Sequence, residues 1–563
     1  MKKLNYQTIQ NAVLATDILS AEEVHSAVGS SRTVGLPLIS ILMSKVRGND
    51  DKTDALRKVL APLLEIPFFD DSNVLKVNME LTRRSGLDGI EKNKTFFVDY
   101  NGTPYLHMID PTNAEKSDEA IAIAKSKNYE NCFLSTAVIN TLMTRDIAPI
   151  LISDRAKSMV VEASTEEAED DDEITTTDVA KMFNDIITAG INSRASDIHL
   201  SPEKKKAMIR FRIDGILRDY MDIPLTALEK LYNYVVSQAK IPEPDKPKEP
   251  RDGSLEFPYS ASQTIPLRIS TIEETEGRSD LCIRILNGQE MSLEDLGMNR
   301  EHQETINRLF RMTKGVCLFV GPTGSGKSTS MYAGIRTTDY VHRRVMTCED
   351  PVEQTMENIL QVSVNEDAGM TYAEAIKSFL RHDPDIIVIG EIRDYEVGIN
   401  AMRASETGHL VISTLHCNNA PAAIPRLTGL DIPAQSVATS LSAVIAQRLA
   451  RRVCPSCKKM YPLPANHEWR KKYRLGDGEI MLAKGEGCAQ CEGSGYKGRI
   501  VLAEIMVCTR EIRAAIERKA PSIEIEKMAA ENGYRPLIED GIDKARSGLT
   551  TFEEIDILYN DIV

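Results

Sequence analysis

Gly321-Pro-Thr-Gly-Ser-Gly-Lys-Ser-Thr329 is the stretch of the chain that decides its fold. The apolar run Val316-Cys-Leu-Phe-Val320 comes directly before it and predicts a buried strand that ends abruptly at a glycine. Glycines at 321, 324 and 326 let the backbone curl so that successive N–H groups point at one centre. A helix should follow, and its first turn adds partial positive charge. The pattern therefore predicts a phosphate-binding loop between a strand and a helix.

Two side chains of this loop have predicted roles in binding a nucleotide. Lys327 can reach the β- and γ-phosphates, and the Ser328 hydroxyl can ligate Mg²⁺. The alternative, a glycine-rich loop that only turns the chain, does not require the full pattern in this strand-loop-helix setting. The predicted nucleotide-binding residues are Gly321, Pro322, Thr323, Gly324, Ser325, Gly326, Lys327, Ser328 and Thr329.

Length and charge set the general class of the protein. A chain of 563 residues is too long for one core and predicts about three or four domains. The formal net charge of −15 gives no support for binding the phosphate backbone of nucleic acid. The start of the chain, Met-Lys-Lys-Leu-Asn-Tyr-Gln, lacks the core of a signal peptide, and no long uncharged apolar run follows. We therefore expect a cytoplasmic protein.

The chain before the phosphate loop is predicted to form two domains. Residues 1–160 mix amphipathic helical patterns with short strand-like runs and carry no catalytic spacing. Glu166–Glu173 holds seven carboxylates in eight positions, which predicts a solvated linker over 161–176. A second domain is predicted over 177–290.

Three segments characterise the second domain. Met208–Ile213 alternates apolar and charged residues as a half-buried strand does, and Asp214-Gly215 predicts a hairpin turn after it. The prolines of Ile241–Pro250 exclude a helix and predict a surface loop.

Residues 291–563 are predicted to form a mostly parallel sheet covered by helices on both faces, since strand-like and helical patterns alternate there. After the phosphate loop the strand-like runs are Arg344–Cys348, Asp385–Gly390 and Leu410–Leu415. Thr371-Tyr-Ala-Glu374 has the spacing of a capping box and should begin a helix. Open α/β sheets bind ligands at the carboxyl ends of such strands.

Carboxylates and histidines lie at these strand ends. Glu391 follows an apolar strand and is suited to hold Mg²⁺, and Glu349 ends the strand before it, where it could orient water. His409 and His416 flank the next strand. Their separation is odd, so a regular strand would direct them to opposite faces. One could sense the γ-phosphate, and for each a structural role remains open.

Four cysteines predict a metal site. Two Cys-x-x-Cys units can each place two thiolates on one tight turn, and together they form a tetrahedral S₄ site that favours Zn²⁺. Four thiolates leave no open coordination position, which indicates a structural metal. The predicted ligands, within an element spanning 451–500, are Cys454, Cys457, Cys488 and Cys491.

Four ordered motifs resemble those of the secretion ATPase superfamily. The phosphate loop, Thr347–Glu353, Asp383–Asp394 and Thr407–His416 resemble its Walker A, Asp-box, Walker B and His-box motifs. The tetracysteine element is similar to that of the branch for type IV pilus assembly and type II secretion, exemplified by PilB and GspE. The resemblance covers about residues 177–563.

The resemblance implies a fold and roles for individual residues. The implied fold is α/β, a RecA-like P-loop ATPase core with a preceding α+β (PAS-like) domain, a zinc-binding insertion and an N-terminal docking domain. Glu349 would be the catalytic base, and Glu391 would serve the Mg²⁺ site. Arginines aligned at Arg194, Arg210 and Arg268 would reach the nucleotide in a hexamer. The chain departs from the family at Gly277-Arg278, where Gly-Glu is usual.

The implied function is a hexameric cytoplasmic ATPase that couples hydrolysis to domain rotation. Its partners would be an inner-membrane platform protein and a cytoplasmic docking protein, and it would lie at the inner-membrane face through them. The cargo would be a type IV pilus, with a type II secretion pseudopilus as the alternative. A nucleic-acid motor and a non-hydrolysing nucleotide switch are rival readings. Residues from Arg32 to Leu42 only partly resemble a cyclic di-GMP motif, so a docking role is preferred for residues 1–160.

Overall fold

The computed structural model of the chain divides into two compact units, Met1–Asn287 and Gly288–Val563. It describes residues 6–34, 37–46, 49–70, 75–84, 95–108, 118–162, 172–241, 250–260, 263–274, 277–286, 290–366 and 368–562.

The first unit begins with four helices packed around one apolar cluster, followed by a five-stranded sheet. The elements are α1 (Tyr6–Leu14), α2 (Ala21–Val34), α3 (Leu38–Val46), α4 (Asp50–Leu64), β1 (Phe68–Phe69), β2 (Leu75–Val77), α5 (Met79–Arg84), β3 (Phe96–Tyr100), β4 (Thr103–His107), α6 (Asp118–Ser126), β5 (Glu130–Leu134) and α7 (Thr136–Leu142). The strand order is β1-β5-β4-β3-β2, with β5 parallel to both of its neighbours.

The second half of the first unit is a six-stranded antiparallel sheet packed against helices. A short π-helix (Met143–Ile147) leads into α8 (Ala148–Glu162), α9 (Asp172–Asn192), β6 (Ala195–Pro202), β7 (Ala207–Ile213), β8 (Ile216–Ile223), α10 (Leu225–Gln238), β9 (Arg251–Pro258), β10 (Thr264–Glu273) and β11 (Ser279–Ile285). The strand order is β8-β7-β6-β11-β10-β9. Strand β7 buries alternate residues, and Asp214 and Gly215 turn the chain into β8 with positive φ angles of 51° and 87°, so the predicted hairpin is present.

Helix α8 packs into the core of this six-stranded half. Its residues Ala148, Ile152, Ala156 and Met159 are buried in the same apolar cluster as the strands, and Arg155 forms an ion pair with Asp185 of α9. Helix α9 begins inside the acidic run, at Asp172. The domain boundaries at 160 and 177 stay predictions. Residues 35–36, 163–171 and 242–249 of the segments predicted above lie outside the described residues.

The second unit is built on a seven-stranded sheet. Its strands are β12 (Gly315–Val320), β13 (Val345–Glu349), β14 (Leu360–Ser363), β15 (Ile386–Ile389), β16 (Leu410–Leu415), β17 (Leu441–Val453) and β20 (Tyr496–Val507). The order is β14-β13-β15-β16-β12-β17-β20, and every pairing is parallel except that of β17 with β20. The predicted strands at 344–348, 385–390 and 410–415 are therefore confirmed to within about a residue.

Helices cover both faces of this sheet. They are α11 (Arg300–Phe310), α12 (Lys327–Ile335), α13 (Tyr372–Phe379), α14 (Tyr395–Glu406), α15 (Ala423–Gly429), α16 (Ala434–Ser440), α18 (Arg510–Glu517), α19 (Ser522–Glu531), α20 (Leu537–Arg546) and α21 (Phe552–Ile562). Successive strand residues alternate between two apolar clusters, as Val345 and Met346 do, because strand side chains point to opposite faces. Thr371 caps α13 by accepting from the Glu374 N–H, as predicted.

A small element lies between β17 and β20. It contains the antiparallel pair β18 (Lys458–Pro462) and β19 (Met481–Gly485), with the short helix α17 (Glu468–Lys472) between them. Trp469 stacks on Phe552 with ring centroids 5.5 Å apart, and Lys472 pairs with Asp556 at 2.6 Å. These contacts join the element to α21. Within the described part of the chain, none of the helices has the length and apolar character that crossing a bilayer demands.

Candidate functional sites

The predicted phosphate loop connects β12 to α12. Gly321, Gly324 and Gly326 have positive φ angles of 151°, 76° and 82°, which glycine adopts without a steric penalty. A Cβ on Gly321 would lie 2.5 Å from Ser325 Oγ and 2.6 Å from the carbonyl oxygen of Gln447. The first glycine is therefore required by the close approach of the loop to β17.

Lys327 is the first residue of α12, and its side chain folds back over the loop. Its Nζ donates to the carbonyl oxygens of Gly321 at 2.9 Å and Pro322 at 3.0 Å. Burial lowers the pKa of Lys327, while the nearby Glu391 carboxylate opposes this shift. A buried ammonium held by carbonyl oxygens fits an anion such as a phosphate group. The loop residues thus suit the triphosphate that the sequence predicts.

Two residues of strand β17, which were not predicted from the sequence, hold the phosphate loop and the segment after His416 by hydrogen bonds. Gln447 Nε2 donates to the Ser325 carbonyl oxygen at 2.8 Å. Arg448 donates to the carbonyl oxygens of Gln447 at 3.1 Å and Asn418 at 3.2 Å. Both side chains are buried. A buried Gln-Arg pair inside the apolar run of β17 was the available signal.

Glu504 on β20 supports the segment that follows His416. Its carboxylate accepts the backbone N–H groups of Ala420 at 2.6 Å and Leu537 at 2.7 Å. Burial raises the pKa of Glu504, and these two donors oppose that shift. Arg448 and Glu504 therefore hold the chain between β16 and α15 in place at two points, Asn418 and Ala420.

Glu391 lies just after β15, close to Arg393 and His416. Its carboxylate is 3.1 Å from Arg393 Nε and 3.7 Å from His416 Nε2, and its side chain is 24% exposed. Arg393 also reaches Asp350 at 3.3 Å. The Glu391 carboxylate also interacts electrostatically with Lys327. A partly exposed carboxylate in this position is suited to hold a divalent cation beside the phosphate loop.

The two predicted histidines lie at opposite ends of β16. His416 follows the carboxyl end, which pairs with the strand end that leads into the phosphate loop. His409 precedes the amino end, where its Nδ1 is 2.9 Å from the Ala404 carbonyl oxygen and 3.1 Å from Thr407 Oγ1. Only His416 is thus brought to the edge of the sheet that carries the loop.

Glu349, the last residue of β13, is 5% exposed. One oxygen accepts from Thr347 Oγ1 at 2.7 Å and from Gln361 Nε2 at 3.4 Å, and the other accepts the hydroxyl of Tyr332. Tyr332 belongs to α12, the helix that the phosphate loop begins. Glu349 was predicted from the sequence, whereas Tyr332 and Gln361 were not.

The three predicted arginines belong to the first unit. Arg194 is 3.5 Å from Asp214, and Arg210 pairs with Glu203 at 2.9 Å and Asp219 at 2.8 Å. Arg268 is exposed on β10, where its pairing partner on β11 is Arg284. Arg284 in turn lies 2.9 Å from the buried Asp197, so across the sheet two neighbouring arginines are followed by a carboxylate.

The four predicted cysteines converge in the small element between β17 and β20. Their sulfur atoms all lie within 4.8 Å of one another, with separations of 3.7 Å for Cys454 to Cys488, 3.8 Å for Cys457 to Cys491 and 3.7 Å for Cys488 to Cys491. A zinc–sulfur bond of about 2.3 Å in a tetrahedron requires sulfur separations of about 3.8 Å. The donor set and its geometry therefore fit zinc.

Backbone groups also prepare this cluster for a metal. Burial raises the pKa of Cys491, but hydrogen bonds from the backbone N–H groups of Cys488 and Gly495 and from the thiols of Cys488 and Cys457 together bring that pKa to about 7. Burial raises the pKa of Cys457 and Cys488, in contrast. A thiol with a lowered pKa ionises readily, and thiolates are the form that binds zinc.

Comparisons with known proteins agree with this architecture. The sequence model of the family described as type II/IV secretion system protein matches residues 169–557. The type IV pilus assembly ATPase PilB of Thermus thermophilus is 34% identical over 90% of this chain, which spans 57% of that relative's length. The type II secretion system protein E of Dickeya dadantii is 36% identical over 67% of this chain and 75% of its own.

A solved structure supports the fold. The Legionella pneumophila ATPase DotB superposes with a TM-score of 0.51 at 18% identity, over 68% of this chain and 96% of its own. At this identity the likeness concerns the fold alone, an α/β core of the RecA-like kind.

Proposed function

The chain belongs to the type II/IV secretion system protein family, and from that premise we propose that it is a Mg²⁺-dependent ATP hydrolase that powers a mechanical motor. The observation that carries the proposal is the phosphate loop, with Lys327 bound to its carbonyl oxygens and Glu391 near enough to act on Lys327 electrostatically, at the carboxyl edge of a parallel sheet. Open α/β sheets place their ligands at this edge.

The residues divide the work of hydrolysis. Backbone N–H groups of the loop and Lys327 would bind and orient the phosphates. Ser328 and Glu391 would hold Mg²⁺, which shields phosphate charge when bound. Glu349 would orient the attacking water and accept its proton. His416, next to Glu391, would respond to the γ-phosphate, and the contacts of His409 favour a packing role.

Assembly into a homohexamer would complete the site. Arg194, Arg210 and Arg268 are proposed to supply positive charge to the nucleotide, which would couple charge development to domain rotation. Arg210 is already paired with two carboxylates, so it would have to exchange partners to do this. Arg268 has an arginine as its cross-strand neighbour, so an anion bound there would reduce the repulsion between two positive charges.

The proposed cargo is a type IV pilus, and the alternative is a type II secretion pseudopilus. Relatives with either name are similar to this chain at nearly the same identity, 34% and 36%. In either machine the motor would act in the cytoplasm at the inner-membrane face, through a platform protein and a docking protein. The net charge of −15 disfavours a nucleic acid as partner.

Phosphate release by the purified chain tests this proposal. We expect steady release from ATP that requires Mg²⁺, stops with EDTA and is not stimulated by single- or double-stranded DNA at physiological salt. A protein that binds ATP without releasing phosphate, in every assembly state tried, would instead be a nucleotide switch. Strong stimulation by DNA would identify a nucleic-acid motor.

A further inference from the structure

Tyr332 connects the helix of the phosphate loop to the proposed catalytic base. It lies five residues after Lys327 on α12 and is 2% exposed. Its hydroxyl donates to one carboxylate oxygen of Glu349 at the end of β13. The contact is possible because Val345, Thr347 and Glu349 point to the face of the sheet that α12 covers.

The second oxygen of Glu349 has its own donors. Thr347 Oγ1 lies at 2.7 Å and Gln361 Nε2 at 3.4 Å. All three donors around the carboxylate are uncharged, so they fix its orientation without forming an ion pair. A carboxylate held at one oxygen by α12 and at the other by β13 and β14 takes a single orientation.

Tyr332 is also fixed as the donor of this pair. Burial raises the pKa of Tyr332, and the Glu349 carboxylate raises it further. The hydroxyl therefore keeps its proton at physiological pH, and the carboxylate accepts it as a hydrogen bond. The direction of the bond is thus set by the surroundings of both partners.

We propose that Tyr332 is a positioning residue that orients the Glu349 carboxylate for water activation and ties that orientation to the phosphate-loop helix. The proposal rests on the function proposed above. General-base catalysis depends on the base lying within hydrogen-bond reach of the proton it accepts. Loss of the Tyr332 hydroxyl would free one oxygen of Glu349 and leave the loop, Lys327 and Glu391 unchanged.

The test is Tyr332→Phe in the full chain, with Tyr340→Phe as the matched control, since Tyr340 packs against the same apolar cluster. A hydrogen bond to a charged group is worth enough for kcat to fall by about tenfold. KM for ATP and the Kd of a fluorescent ATP analogue should stay within about twofold of wild type, since neither reports on the base. The control should keep wild-type values. A wild-type kcat for Tyr332→Phe, or a loss confined to KM, would overturn the proposal.

A double-mutant cycle separates positioning from a general loss of stability. In a Glu349→Gln background, Tyr332→Phe should cause no further loss of the residual rate, because the group it orients is gone. Additive losses would overturn the proposal. Should Tyr332→Phe not fold, 3-fluorotyrosine at this position keeps the shape and strengthens the donor, and an unchanged kcat there would also overturn it. Absence of hydrolysis by wild type and Tyr340→Phe alike would refute the proposed function itself.

Discussion

Glu349 ends one strand of the sheet and Glu391 lies just after the neighbouring strand, yet the surroundings of the two carboxylates differ. Glu349 is buried and accepts hydrogen bonds from two hydroxyls and an amide, all of them uncharged. Glu391 is partly open, with Arg393 and His416 close to its oxygens. The same side chain is therefore placed in two settings: the Glu349 carboxylate is held in one orientation by neutral donors, as a positioned base would be, and the Glu391 carboxylate is open enough to hold a metal.

The largest expected effect comes from removing the ammonium group of Lys327, which interacts electrostatically with Glu391. Lys327→Ala should reduce phosphate release below about 1% of wild type, since the loop would lose the ammonium group that is proposed to bind the phosphates. Circular dichroism should show an intact fold, because α12 keeps its backbone bonds and alanine favours helices. Normal turnover in a folded variant would refute the role of the loop.

Exchanging each carboxylate for its amide tests the contrast directly. Glu349→Gln should lower kcat by about 100-fold or more, with the Mg²⁺ dependence of the rate unchanged. Glu391→Gln should instead raise the Mg²⁺ concentration needed for half-maximal rate. Magnesium titrations of both variants measure this difference. Identical titration curves would show that the two residues do not divide the work as proposed.

The zinc element should affect stability while leaving this contrast intact. Cys454→Ser removes one of four sulfur ligands, and we expect at least the roughly 10–100-fold loss of metal affinity that weaker perturbations of such sites cause. Zinc content by mass spectrometry and the unfolding temperature should both fall. Glu349→Gln should still reduce kcat by the same factor in this background. A wild-type protein purified with no metal would contradict the zinc assignment.

The smallest effect is expected at the rim of the ionic cluster. Asp350 and Arg393 are 3.3 Å apart but 38% and 50% exposed, and exposed ion pairs contribute little, about 0–1 kcal/mol. Asp350→Asn should therefore change kcat by about threefold at most. A rise in the Mg²⁺ requirement comparable to that of Glu391→Gln would mean that Arg393 depends on both carboxylates and that the cluster acts as one unit.

Most of the second unit was predictable because its signals are local. The phosphate loop, the cysteine pairs and the strand ends are each encoded within about ten residues, and the structure places them as predicted. Gln447 and Glu504 were missed because their partners are far along the chain, and Tyr332 was missed because its partner Glu349, 17 positions away, lies on a different element. Gln447 lies 122 positions from Ser325, and Glu504 lies 84 from Ala420. Only the folded sheet brings such pairs together.

In the acidic run Glu166–Glu173 a local pattern was present but did not identify the structure. Its charge pattern indicated a linker, yet Asp172 and Glu173 begin helix α9. Carboxylates are favoured in the first turn of a helix, where they meet the positive end of its dipole. Composition alone could not distinguish the start of a helix from a solvated linker, since both tolerate a run of carboxylates.

Helix α8 has a practical consequence for dissecting this protein. A shortened protein that began at the acidic run would lack Ala148, Ile152, Ala156 and Met159 and would expose the apolar surface that they cover. It would also leave Asp185 without Arg155. Such a fragment should aggregate, whereas one that begins before Ala148 should stay monodisperse.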